Sequence, residues 1–183
     1  MTRLLTAALA AALIAGCGTK PLAPPDPLKV REPGRQVQMR DPRTGLRFTA
    51  PLNWVKRIRA NPGIFRIASG AAEVSGWAYP RAERLPQTHA ELAKARDALV
   101  AEAKQRGGAF QLTSSAITKV KGWPAIELRG TQRILGRRVE TRSVHVFRAG
   151  EYVFEALAPA ATFTIADQKV LAPLLRSLVF RPL

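Results

Sequence analysis

Residues Met1 to Gly16 read MTRLLTAALAAALIAG, a cation at Arg3 followed by an uncharged run from Leu4 to Gly16. A short positive region ahead of an apolar run is the pattern of a secretory signal peptide. A spanning helix needs about 20 apolar residues, and this run stops at Cys17, where the sequence turns into GTKPLAPPDP. Proline cannot carry the run on as a helix. The leader therefore predicts export, and it leaves the fold to be built from the residues behind it.

The junction Ile14-Ala15-Gly16-Cys17 resembles the bacterial lipobox: an aliphatic residue, two small residues, then the cysteine that becomes the mature amino terminus. The chemistry needs a thiol there, because sulfur is the nucleophile that accepts the diacylglyceryl group. The resemblance implies cleavage between Gly16 and Cys17, lipidation of Cys17 and a membrane partner reached through that residue. The alternative is an incidental cysteine behind a conventional signal. Cys17 is the one cysteine in the chain, which leaves no internal disulfide and no zinc site built on two thiolates. Each buried methylene contributes roughly 0.8 kcal/mol, so two or three long chains on one residue would hold the protein essentially permanently.

Behind the cysteine, Gly18 to Pro42 carries prolines 21, 24, 25, 27, 33 and 42 and shows no sustained apolar period. It reads as a semi-rigid spacer covering residues 17–43, ahead of a domain over residues 44–183. About 20 residues of extended polyproline conformation span on the order of 60 Å. The alternative is that Gln36 to Met39 adds a strand.

From Thr44 onward the pattern alternates. Strands are predicted at Leu46 to Ala50, Trp54 to Arg59, Ile64 to Ala68 and Glu73 to Tyr79, with Asn61-Pro62-Gly63 as a turn. Thr88 and Glu91 form a capping box for a helix from His89 to Arg106, stopped by Gly107-Gly108. Its apolar seam is Leu92, Ala95, Leu99 and Ala103, widened by Val100, which suits a helix covering a sheet. Strands follow at Phe110 to Val120, Ala125 to Ile134, Arg138 to Phe147 and Glu151 to Ala158. A loop at Leu135-Gly136-Arg137 would place Leu128 opposite Val144 and Ile126 opposite Val146, aligning apolar faces. A last helix within Phe163 to Arg176 is predicted to start at a second box, Thr164 with Asp167, and to be interrupted near Pro173. Leu178 to Phe180 closes as a short strand. Strands, helix, strands, helix, strand gives an α+β domain: an antiparallel sheet flanked by two or more helices.

Four landmarks then line up. They are Gly45-Leu46-Arg47-Phe48 leading to Pro51 and Trp54, a mid-chain helix ending in Gly-Gly, Gly122-Trp123-Pro124-Ala125 before a basic hairpin, and Gly150-Glu151-Tyr152-Val153 followed by Pro159, a helix and Ser177 to Phe180. This order resembles the PsbP-like fold, which includes bacterial lipoproteins of the LpqN and DcrB type. The resemblance covers roughly Thr44 to Leu183. It implies a non-catalytic binding or assembly module in the cell envelope, and it carries no catalytic set or cofactor with it.

The residues add little catalytic chemistry of their own. In the expected register His145 stands opposite Glu127, which reads as a cross-strand pair or as a base and carboxylate. No nucleophile elbow and no phosphate-binding glycine motif accompanies them, so no enzyme is expected. Trp54, Trp77 and Trp123 read as core and edge packing; the alternative is a small-ligand cleft between sheet and helix near Trp77 or Trp123.

Charge is the compositional anomaly. The chain has 29 Lys+Arg against 13 Asp+Glu, a formal net charge of +16. Arg129, Arg133, Arg137, Arg138, Arg142 and Arg148 face one nearby acid, Glu140, and arginine suits carboxylate and phosphate. Arg129, Arg133, Arg137, Arg138 and Arg142 are therefore candidate contacts for an anionic surface or an acidic envelope partner. The competing reading is coding composition with solvated side chains. Nucleic acid fits the charge, but export removes the usual access to it, so no nucleic-acid partner is expected.

Overall fold

The alternating segments pair into one large sheet. The computed structural model describes residues 26–105, 110–134 and 136–180. The leader, Cys17 and the Gly107-Gly108 stop lie outside those residues.

Among the described residues nine strands form: β1 Gln36–Arg40, β2 Arg47–Pro51, β3 Val55–Ile58, β4 Gly63–Ser69, β5 Ala72–Tyr79, β6 Phe110–Val120, β7 Trp123–Ile134, β8 Arg137–Phe147 and β9 Glu151–Ala158. Seven make an antiparallel sheet in the order β3-β4-β5-β9-β8-β7-β6, and β1 and β2 pair as a separate ribbon. Helix α1, His89–Gln105, lies against β6 and β7. The C-terminal helix runs through α2 (Ala160–Thr164), a π-helical stretch (Ile165–Leu171) and α3 (Ala172–Ser177). It covers the opposite face.

Residues from Leu28 onward, expected to belong to a spacer, are part of the domain. The chain is bonded into the domain from Leu28, whose carbonyl accepts from Ala71 N at 3.1 Å. Arg31 N donates to Ser69 Oγ at 3.0 Å, and the Trp54 indole donates to the Arg31 carbonyl at 3.1 Å. Strand β1, the alternative reading of Gln36 to Met39, pairs with β2 along its length. Proline content had signalled an extended backbone, and extended backbone pairs as readily as it spans.

The main core lies between the sheet, the β1–β2 ribbon and the C-terminal helix. Trp54, Phe48, Phe65, Phe154, Leu171 and Leu174 are all buried there. A smaller cluster of Leu92, Ile126, Leu128 and Phe147 sits under α1, with Ala95, Leu99 and Val100 of the seam partly buried beside it. The capping box forms: Glu91 N donates to Thr88 Oγ1 at 3.2 Å, and Thr88 N donates to Glu91 Oε2 at 2.9 Å.

The β7–β8 register differs from expectation by one residue. Leu128 pairs with Ser143, Ile126 with His145 and Glu127 with Val144. Matching apolar faces presumes a sheet buried on one side only. Here both sides are covered, so β7 sends Ile126 and Leu128 to α1 while β8 sends Val144 and Val146 to the main core. The loop from Ile134 to Arg137 then holds two residues, and Gly136, at φ +76°, supplies a left-handed position such a turn requires. A one-residue slip moves every side chain to the other face. His145 and Glu127 consequently lie on opposite faces and form no pair.

The last helix also departs from expectation. It begins at Ala160, directly behind Pro159, and neither Thr164 nor Asp167 caps it. Both are interior, and Asp167 is buried against the sheet. Pro173 does not interrupt it. Ala172 N–H bonds the Asp167 carbonyl five residues back, and Pro173, lacking an N–H, falls in the first turn of α3. Leu178 to Phe180 contributes one bridge, Val179 to Arg47, rather than a strand.

Candidate functional site

Polar constellations lie on both faces of the sheet. On the C-terminal-helix face, Glu127 and Arg129 of β7 and Arg142 of β8 meet Asp167 of the π-helical stretch. Arg129 Nε donates to Glu127 Oε1 at 2.6 Å, and Arg129 Nη1 to Asp167 Oδ2 at 3.2 Å. Arg142 Nη1 donates to Asp167 Oδ1 at 2.7 Å, and Arg142 Nη2 to Glu127 Oε2 at 2.7 Å. Two cations and two anions close a neutral ring. Burial lowers the Arg129 pKa, but the hydrogen bonds and charges of Glu127 and Asp167 outweigh it and hold the guanidinium above its ordinary value.

Arg129 and Arg142, expected to meet an outside anion, therefore have internal partners. They rivet the helix to the sheet. Arg133, Arg137 and Arg138 remain exposed at the hairpin tip. Arg133 and Arg138 are direct cross-strand partners, a like-charge pairing that disfavours the bare hairpin.

On the other face, α1 covers only the β6–β8 side, and a groove of about 510 Å³ opens between it and the rest of the sheet. Its apolar wall includes Trp77 and Val153 from the sheet, Leu99 and Ala103 from α1, and Phe110 and Leu128 below. Gly130 lets Phe110 lie flat there: a Cβ at Gly130 would stand 2.6 Å from Phe110 Cζ and 2.5 Å from the Gln111 carbonyl oxygen. The volume falls within the range of small-molecule sites.

Glu102, Gln132, Ser143 and Glu155 also line the groove, and at one end of it His145, Glu151 and Arg81 are bonded to one another. The register places Glu151 opposite Phe147 at the start of β9, so it shares a face with His145. His145 Nδ1 lies 2.6 Å from Glu151 Oε1. Arg81 Nε donates to Glu151 Oε2 at 3.0 Å, and Arg81 Nη2 donates to the same oxygen. Burial pushes the Glu151 carboxyl up, yet the hydrogen bonds and charges of His145 and Arg81 bring it below its ordinary value. The Arg81 guanidinium is raised, chiefly by its hydrogen bond to Glu151. With Nδ1 engaged, Nε2 is the ring atom left for a ligand among the described contacts.

Sequence reasoning preferred packing for Trp77, with a cleft as the alternative, and missed Glu151, Arg81 and Asp167 as members of polar clusters. Trp123 is not in the groove; it stands at the far end of the sheet under the Arg148 guanidinium, 4.7 Å from the ring centroid. Trp54 is core. Two acids in an otherwise apolar strand, Glu151 and Glu155 in EYVFEALA, were the signal available. Among the described residues no cluster of His, Cys, Asp and Glu could hold a metal ion, and no helix is long and apolar enough to cross a membrane.

This architecture, an antiparallel sheet with helices on both faces, is the PsbP-like fold. A cyanobacterial PsbP from Synechocystis superposes with a TM-score of 0.59 at 12% identity, covering 88% of this chain and 99% of that one. LpqN of Mycobacterium tuberculosis, described as involved in cell envelope biogenesis, gives 0.58 at 11% identity, covering 81% and 91%. A Pseudomonas aeruginosa protein of unknown function gives 0.53 at 16% identity, covering 82% and 100%. At these identities the likeness is one of fold. No family model and no curated protein sequence matches the chain.

Proposed function

We propose that the chain is a non-catalytic envelope lipoprotein, anchored through Cys17, whose PsbP-like domain binds a small amphipathic molecule in the groove under α1. The observation that carries the binding role is the groove itself. An aromatic and aliphatic wall faces a fixed polar pole at His145, Glu151 and Arg81. A ligand with an apolar body and one polar group matches both, the polar group meeting His145 Nε2. The similarity to LpqN and the lipobox-like junction support the envelope location.

The test is native mass spectrometry of the protein solubilised from its own envelope in mild detergent. A small molecule should travel with the wild type and be lost from Val153→Trp, which fills the groove from the sheet side. Identical masses for both, without an adduct, sink the binding role. Fractionation of Cys17→Ala tests the anchor separately: it should leave the membrane fraction.

A further inference from the structure

The strand pairings bring several unrelated features to one end of the sheet. The β4–β5 turn follows the Ser69 to Ala72 pair, β9 ends at Ala158 beside Glu140 of β8, and the β7–β8 tip closes beyond Ile134 and Arg137. Strand β3 begins there too, with Val55 opposite Ala68. The tether reaches the domain at this same end: Leu28 is hydrogen-bonded to Ala71, and Arg35 to Leu52.

That end carries exposed apolar side chains and surplus cations. Leu28 is 43% exposed, Leu52 52%, Val55 59% and Ile134 38%. Lys29, Arg31, Arg35, Arg133, Arg137 and Arg138 are exposed among them. Of the acids nearby, Glu32 is paired with Lys169 at 2.8 Å, Asp26 caps its own turn through Leu28 N at 2.8 Å, and Glu140 is half-buried on β8 opposite Thr131 and Ala158. Lys56 is turned inward, donating to the carbonyls of Pro51, Leu52 and Trp54.

We propose that this end of the sheet is a membrane-docking surface, seated on the anionic leaflet that holds the lipidated Cys17. The inference rests on the lipid-anchor reading and adds an orientation to it. Nine residue steps separate Cys17 from Asp26, a reach of about 30 Å at most. A domain held that closely by this end presents it to the headgroups. Arginine guanidinium groups match lipid phosphates, and the like charges of Arg133 and Arg138 are relieved when an anion lies between them. The exposed Leu28, Leu52, Val55 and Ile134 then enter the interface rather than water. The groove stays accessible, because it opens on a face of the sheet.

The experiment uses the lipidated protein in liposomes, with an environment-sensitive fluorophore on Leu52→Cys, Ile134→Cys or, at the opposite end of the sheet, Lys119→Cys. In liposomes containing phosphatidylglycerol at low salt, headgroup spin-labelled lipid should quench positions 52 and 134 and spare 119. Each cation near an anionic surface is worth roughly fivefold. Arg133→Gln, Arg137→Gln and Arg138→Gln together should therefore lower the docked-to-free ratio about 100-fold, and phosphatidylcholine alone should act similarly. Quenching at 52 and 134 no greater than at 119 overturns the docking surface and leaves the anchor standing. Labelling at two sites per chain would mean a free Cys17 thiol, and would overturn the anchor and the orientation together.

Discussion

Removing the Asp167 carboxylate tests what fastens the C-terminal helix. Asp167 takes one hydrogen bond from each of two arginines on neighbouring strands, at 2.7 Å and 3.2 Å. The Asp167 side chain is 6% exposed and that of Arg142 is 17% exposed, so Asp167→Ala leaves two guanidinium groups, one of them buried, to share the single carboxylate of Glu127. Breaking a buried ion pair by removing one partner costs about 3–5 kcal/mol. The Arg129 contact is discounted, since that side chain is 38% exposed and water screens it. The expected loss is about 3 kcal/mol. At roughly 2–4 °C per kcal/mol for a protein of this size, the midpoint should fall by about 6–12 °C in thermal unfolding followed by circular dichroism. Asp167→Leu combined with Arg142→Met removes one charge of each sign and keeps the Glu127–Arg129 pair, so it should lie within about 1 kcal/mol of wild type. A single variant costing under about 0.5 kcal/mol would refute the ring as a fastening and leave the helix held by its buried apolar side chains, Phe163, Val170, Leu171, Leu174 and Leu175 among them.

Other outcomes follow from the same geometry. The Glu151 carboxyl sits below its ordinary value of 4.5, so its stabilisation is present above that pH and lost as pH falls; the difference between wild type and Glu151→Gln in urea midpoints should be largest near neutrality and shrink in acid. Glu91, held to about 2 by the backbone N–H groups of Thr88 and Gln87, should show the same sign, with the advantage over Glu91→Gln vanishing between pH 4.5 and 2. Gly130→Ala should cost about 1–3 kcal/mol in urea unfolding, because the new methyl meets the Gln111 carbonyl oxygen at 2.5 Å and the Phe110 ring.

Most of the strands were legible because their pattern is local. Phe110 to Val120 and Glu151 to Ala158 have the expected bounds, and the Thr88–Glu91 box forms as its spacing demanded. What was not legible depended on which face is covered. Pairing Leu128 with Val144 follows from one buried face, and the sheet has two. That error carried His145 to the wrong partner; Glu151 was missed because it meets His145 through the β8–β9 pairing, where it stands opposite Phe147. The Thr164–Asp167 spacing misled for a related reason. A carboxylate three residues behind a threonine has the form of a cap, but here it answers two arginines that sequence separation of 25 and 38 residues kept out of view.

The arrangement also bears on the excess of positive charge. With 13 acids against 29 Lys and Arg, the acids are too few to pair more than some of the cations, and the structure shows where they go. Glu127, Asp167, Glu151 and Glu73 pair within the sheet or against a helix, Glu91 caps α1, and Asp41 accepts from Thr44 in the turn before β2. Acids committed to the fold cannot neutralise the periphery. Surplus cations scattered at random would raise self-repulsion on every side and select no partner. Arg133, Arg137 and Arg138 stand with exposed apolar side chains at the end where the chain enters the domain; the far end also exposes Ile58, Trp123 and Val179 beside Lys119 and Lys121, so the tether is what distinguishes the two ends. Composition alone supplies arginines, but it does not supply that coincidence of tether, apolar exposure and unpaired charge, which an anionic leaflet satisfies in one contact.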